Sequence, residues 1–225
     1  MPEFVVIDKI KMSHCGPVNE AEQPIHLRQG SIDGACGPYC LFMSLIICGA
    51  ADYYDLTELE RLSKRTETGK SLNMMTQIAQ DPALFRHGTS ILTLKKLTAN
   101  YKDIATDQIK AKIRSDAKTE KESSPKRVSD FVLNHVIENK PVILWVYNND
   151  VSHWVLVVGL EFENPDKRKD KIPSKFLILD PSEPSPTICP WNGAIDTTGA
   201  GGWCKWLGDE DGKRVTFKEA LAVWR

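Results

Sequence analysis

No window of this chain reaches the roughly 18 uninterrupted apolar residues that a membrane-spanning helix needs, so no membrane span is expected. The opening residues, Met1-Pro2-Glu3-Phe4, lack a basic region followed by an apolar stretch, which is what an ordinary secretory signal requires. The expected location is therefore cytoplasmic, or outside the cell by way of a secretion system that needs no such signal. Charge of one sign is also missing: Lys+Arg 29 stand against Asp+Glu 30, a net charge of −1. No overall field then favours nucleic acid or an anionic membrane, and neither is an expected partner. The basic runs, Lys167-Arg168-Lys169 and Lys110 to Arg114, have acidic neighbours and read as solvated surface. No CxxC pair and no internal repeat occurs. The six cysteines at 15, 36, 40, 48, 189 and 204 fit no small disulfide scaffold, so reduced thiols are expected. Cys189 and Cys204 have no CxxC partner to complete a zinc site, so no metal and no cofactor is predicted.

What is present is enough for one large domain: 225 residues, 41% of them hydrophobic. The first 28 residues read as an irregular lead-in. An apolar run from Cys36 to Cys48, stopped by Gly49, predicts a buried central helix. Amphipathic helices are expected over Leu56–Lys64, Ser71–Gln80, Ile91–Tyr101 and Asp130–Asn139, with Ser71 and Ser90 suited to helix starts. Lys110–Ser129 is charge-dense and reads as a loop. Three segments rich in Val, Ile, Leu and aromatics, Pro141–Tyr147, His153–Phe162 and Lys175–Asp180, predict a β-meander. A Gly-rich loop at Gly199–Gly202 and a short helix near Phe217–Trp224 close the chain. Helices first and strands second predict an α+β fold in a single domain over residues 1–225, helical from about 30 to 140 and β from about 141 to 225.

The chemistry centres on Cys36, which opens the apolar helix. At a helix start the unpaired N–H groups and the helix dipole favour a negative charge, and the thiolate is the nucleophilic form of cysteine. Such a nucleophile needs a base and a group that orients the base. Of the histidines, His14 and His26 lie in the lead-in, His87 in a turn and His135 on a helix. His153 stands at the start of a strand, a rigid mounting at a cleft edge, with Trp154 as a shield against water. Asp180 follows four apolar strand residues, where a carboxylate is costly to bury without a partner. A meander brings it to the start of His153's strand, and there it holds the imidazole tautomer. Asp150 suits a turn cap better. Gln29, seven residues before Cys36, is the candidate oxyanion donor together with the backbone N–H of Cys36. Cys40, four residues on, reads as a core thiol behind the nucleophile, and Cys48 as a small core residue. Trp191, Trp203 and Trp206 suit either a core or a partner surface.

The set Gln29…Cys36-Gly37-Pro38-Tyr39-Cys40, His153-Trp154-Val155 and Leu179-Asp180-Pro181 resembles papain-like cysteine peptidases. It is most similar to the bacterial branch that trims double-glycine leaders from bacteriocin precursors. The resemblance implies a papain-like α+β fold, with an N-terminal nucleophile helix and helical region packed on a C-terminal antiparallel β-sheet. It also implies peptide or isopeptide hydrolysis through a thioester, with nucleophile Cys36, base His153, orienting Asp180, oxyanion Gln29 and a protein or peptide substrate. The interval from Gln29 to Cys36 is one residue longer than that branch's usual six, no transporter segments follow, and the motif does not explain the insert from about Leu56 to Lys126. The same constellation also serves a deamidase or acyl transferase acting on a protein target as a toxin or effector. A non-catalytic binding module is the remaining alternative.

Overall fold

A computed structural model describes residues 1–30, 34–58, 69–80, 88–111, 125–199, 203–207 and 212–225. The expected features at His87, most of Leu56–Lys64, the centre of Lys110–Ser129 and all of the Gly-rich loop but Gly199 lie outside these residues.

Helix α1 (Cys36–Ile47) forms despite a poor local start. Ala35 offers no side-chain cap, and Gly37 and Pro38 occupy the first turn. Proline in the first turn forfeits no intrahelical hydrogen bond, and a helical glycine costs about 1 kcal/mol. Full burial of Leu41, Met43, Leu45 and Ile46 outweighs this, at about 2 kcal/mol per side chain. Gly49, at φ +65°, ends the helix, and Ala50 N–H returns to Leu45 C=O at 2.9 Å. The remaining helices are α2 (Tyr53–Thr57), α3 (Gly69–Gln80), α4 (Ile91–Thr98), α5 (Pro125–Ile137) and α6 (Pro165–Lys169). Ser90 caps α4 by accepting from Thr93 N–H, as its position predicts.

The strands are β1 (Glu3–Val6), β2 (Lys11–Ser13), β3 (Gly16–Val18), β4 (Ala105–Lys110), β5 (Val142–Tyr147), β6 (Ser152–Phe162), β7 (Lys175–Leu179), β8 (Gly193–Asp196), β9 (Cys204–Trp206) and β10 (Lys213–Trp224). The order β6-β5-β10-β9-β8-β7 returns to β6, every pairing antiparallel, so six strands close into a barrel. β1 extends the β6 edge beyond β5, and β4 pairs with the second half of β10. Strands β2 and β3 form a separate small hairpin.

This overturns the expected papain-like α+β architecture of a helical region packed on a C-terminal sheet. The sheet is a closed six-stranded antiparallel barrel with extra strands, and 30% of the described residues are helical. The tail makes the difference. The segment expected as a short helix near Phe217–Trp224 is the twelve-residue strand β10, and β8 and β9 complete the ring. Three short strands also occupy the expected irregular lead-in, and β4 lies in the stretch read as helical.

Two apolar clusters lie on the two faces of the barrel wall. Alternate residues of β6, Val155 and Val157, join Phe176, Phe217 and Ala220 in one cluster, which α5 shares through Val128, Val132 and Val136. The intervening residues Trp154, Leu156 and Val158 pack with α1, α3 and α4 in the other. β6 is thus buried on both faces, which explains its nearly continuous apolar run. At Gly159 a Cβ would lie 2.8 Å from Val5 C=O, so the β1–β6 approach requires glycine.

Candidate active site

Cys36 sits in the first turn of α1, which packs against β6. His153 is the second residue of β6, and Asp180 directly follows β7. β6 and β7 are antiparallel with Leu156 opposite Leu179, so Asp180 arrives beside the start of β6. The His153 Nε2–Asp180 Oδ1 distance is 2.8 Å, with the imidazole 13% exposed and the carboxylate 1%. Cys36 lines the same cleft as His153 and is among the groups that raise the imidazole. The structure therefore brings together the three residues that the sequence points to. The backbone N–H of Trp154 donates to Cys36 Sγ at 3.5 Å, a further stabilising contact for a thiolate.

The electrostatics form a consistent set. Burial is the largest influence on His153 and disfavours its charged form. Hydrogen bonds to Asp180 and Cys36, and the negative charges of both, outweigh it and push the imidazole from 6.5 up to about 9. Burial likewise acts to raise the Asp180 carboxyl, but bonds from His153 and Ser182 hold it below its ordinary value. Cys40 is buried behind the nucleophile, donating to Trp154 C=O at 3.4 Å. Burial, followed by the neighbouring Cys36 and Asp180, pushes its thiol well up.

Gln29 is tethered to the same place, since its N–H donates to Pro181 C=O at 2.8 Å. Its side chain lines a cleft of about 710 Å³ with Cys36, His153, Trp145, Thr89 and Glu219. Within that cleft the side-chain amide of Gln29 and the first-turn N–H groups of α1 are the donors suited to an oxyanion.

Three supporting residues are not apparent from the sequence. Asn192 accepts from Asp180 N–H at 2.6 Å and donates to Asp180 C=O at 2.9 Å, while the same amide contacts buried His26 at 3.1 Å. His26 is lowered, chiefly by burial. Ser182 donates both N–H (2.9 Å) and Oγ–H (2.6 Å) to Asp180 Oδ1, an Asx-turn that the Asp-Pro-Ser string could have signalled. Trp206 stacks on the His153 ring at 5.5 Å and 11°, so it covers the imidazole in the role expected of Trp154. The Trp154 side chain instead donates to Thr89 C=O and packs within the helix-facing core.

The other candidates stand apart. Asp150 is an exposed turn residue whose N–H donates to Asn148 Oδ1, and His14 is exposed. His135 lies on α5, bonded to Phe131 C=O. Among the described residues no group of His, Cys, Asp and Glu is arranged to hold a metal, and no helix is long and apolar enough to cross a membrane. No protein-family model and no curated protein matches the chain.

Proposed function

We propose that this protein is a cysteine peptidase that hydrolyses peptide or isopeptide bonds through a thioester on Cys36. The carrying observation is a single imidazole, His153, with the Asp180 carboxylate at 2.8 Å on one nitrogen and Cys36 lining the same cleft, its sulfur 3.5 Å from the N–H of the next residue, Trp154. At neutral pH an imidazole raised to about 9 holds its proton, and that imidazolium is the proton donor the reaction needs. The thiolate attacks the substrate carbonyl, and Gln29 with the Cys36 N–H receives the oxyanion. His153 then gives its proton to the leaving amine as the C–N bond breaks. Formation of the thioester removes the Cys36 charge, one of the causes that raise His153. The neutral ring becomes a base that deprotonates water, and attack by the resulting hydroxide breaks the C–S bond, releasing the acid and returning Cys36 as thiolate beside the reprotonated imidazole.

The test is mass spectrometry of an unfolded protein mixture after incubation with wild type and with Cys36→Ala. New chain termini dependent on Cys36 support the peptidase. A mass gain of about one dalton at glutamine assigns the same nucleophile to a deamidase, and an added group assigns it to an acyl transferase. A thiol at Cys36 that iodoacetamide alkylates only above about pH 8, as with a free cysteine, refutes all three.

A further inference from the structure

Glu219 is the most unusual group outside the triad. It lies on β10 at a register shift between Phe217 and Ala220, where Lys218 and Glu219 together oppose Trp145 of β5. Such a bulge re-aims side chains. Phe217 and Ala220 both join the cluster that α5 shares, while Glu219 lines the cleft with Cys36 and His153. Its cross-strand partner is Lys110 on β4, with Nζ 2.6 Å from Oε1. The two partners differ sharply in environment, the glutamate side chain being 3% exposed and the lysine 72%. The second oxygen, Glu219 Oε2, is buried with no hydrogen-bond partner.

It has company. Four buried side-chain oxygens among the described residues lack a partner. One belongs to Asp180, and the other three, on Gln29, Thr89 and Glu219, are on residues that line this cleft. A buried acceptor without a donor is destabilising until something supplies one. Carboxylate and amide oxygens only accept, whereas lysine and arginine side chains only donate.

We propose that Glu219 is the subsite for a basic side chain of the substrate, arginine or lysine, and that Lys110 is a stand-in that yields it when substrate arrives. The inference rests on the peptidase reading for its substrate, a peptide. Displacing Lys110 costs little on the lysine side, because an ammonium already mostly in water returns to water, and the buried carboxylate is not left unpaired because the incoming cation takes its place. An incoming guanidinium takes both carboxylate oxygens at once, which the single ammonium does not. The other nearby ammonium, Lys218 Nζ, lies 3.7 Å from the Tyr147 ring centroid and 4.9 Å from that of Trp145.

The test uses peptidyl chloromethyl ketones that carry arginine or its uncharged isostere citrulline. The Cys36 thiolate displaces chloride to form a thioether, read by intact mass. Wild type should favour the arginine reagent at least about tenfold. Glu219→Gln should bring the ratio to about one, and Lys110→Met should raise it above wild type. Equal rates in wild type, or a preference that survives Glu219→Gln, overturns the proposal. Iodoacetamide, which has no side chain for the subsite, normalises thiol reactivity and folding in each variant. Alkylation requires no peptide-bond turnover, so the two readings fail separately. Discrimination without cleavage refutes the peptidase alone, and cleavage without discrimination refutes the subsite alone.

Discussion

Asp180→Asn keeps the shape of the side chain at the end of β7 and removes its charge. In the folded protein His153 is raised from 6.5 to about 9, which corresponds to about 3 kcal/mol of stabilisation in the protonated state. The hydrogen bond to Asp180 is the largest of the upward influences, the Asp180 charge adds to it, and Cys36 contributes in both ways as well, so removing the carboxylate forfeits a large part of this stabilisation. Because the folded value lies above the unfolded one, this stabilisation is complete below about pH 6.5 and disappears as pH rises through about 9. Asp180 itself runs in the opposite sense: a lowered carboxyl contributes above its unfolded value and loses that contribution in acid. The variant should therefore be less stable near pH 6 by a large part of that roughly 3 kcal/mol, with the gap closing toward about pH 10. Urea unfolding across that range measures the gap, and NMR titration of the His153 imidazole measures its cause. With Asp180 neutral, burial is opposed by Cys36 alone and the imidazole should titrate well below 9. A gap independent of pH, or a variant imidazole still titrating near 9, refutes the reasoning.

Three further outcomes are expected. If the proposed peptidase chemistry holds, the wild-type rate profile should fall on the alkaline side at about pH 9, where His153 loses its proton, and stopped-time peptide cleavage across pH measures it. Asn192→Ala strips partners from both the N–H and the C=O of Asp180. It should cost about 1–3 kcal/mol in chemical denaturation and slow Cys36 alkylation. Gly37→Ala should fall short of the about 1 kcal/mol that alanine gains over glycine in a helix, in the same assay, since its Cβ would meet Thr89 at 3.1 Å and Trp154 at 3.2 Å and those side chains must give.

The site was more legible than the fold that carries it. Cys36 is marked by a turn-then-apolar boundary, and His153 and Asp180 by strand ends, all local signals that hold in this structure. The barrel depends on signals that are not local. β10 reads as a helix because Lys218-Glu219-Ala220-Leu221-Ala222 is rich in helix formers and buried on both sides, so no two-residue alternation shows. β9 has three residues, too few to stand out, yet it joins β8 to β10 and so closes the ring. Asn192 supports Asp180 from a turn twelve residues away, a distance along the chain at which sequence carries no spacing rule.

Closure of the ring has a mechanical consequence. His153 and Asp180 are anchored to neighbouring staves of one cylinder, and sliding one stave past the other would break ladders around the whole circumference. Their spacing is therefore as durable as the cylinder. Cys36 belongs to a helix outside the wall, held there by side-chain packing and a few hydrogen bonds rather than by a ladder. The place of the sulfur is thus set by helix packing, whereas the imidazole–carboxylate spacing is set by the sheet.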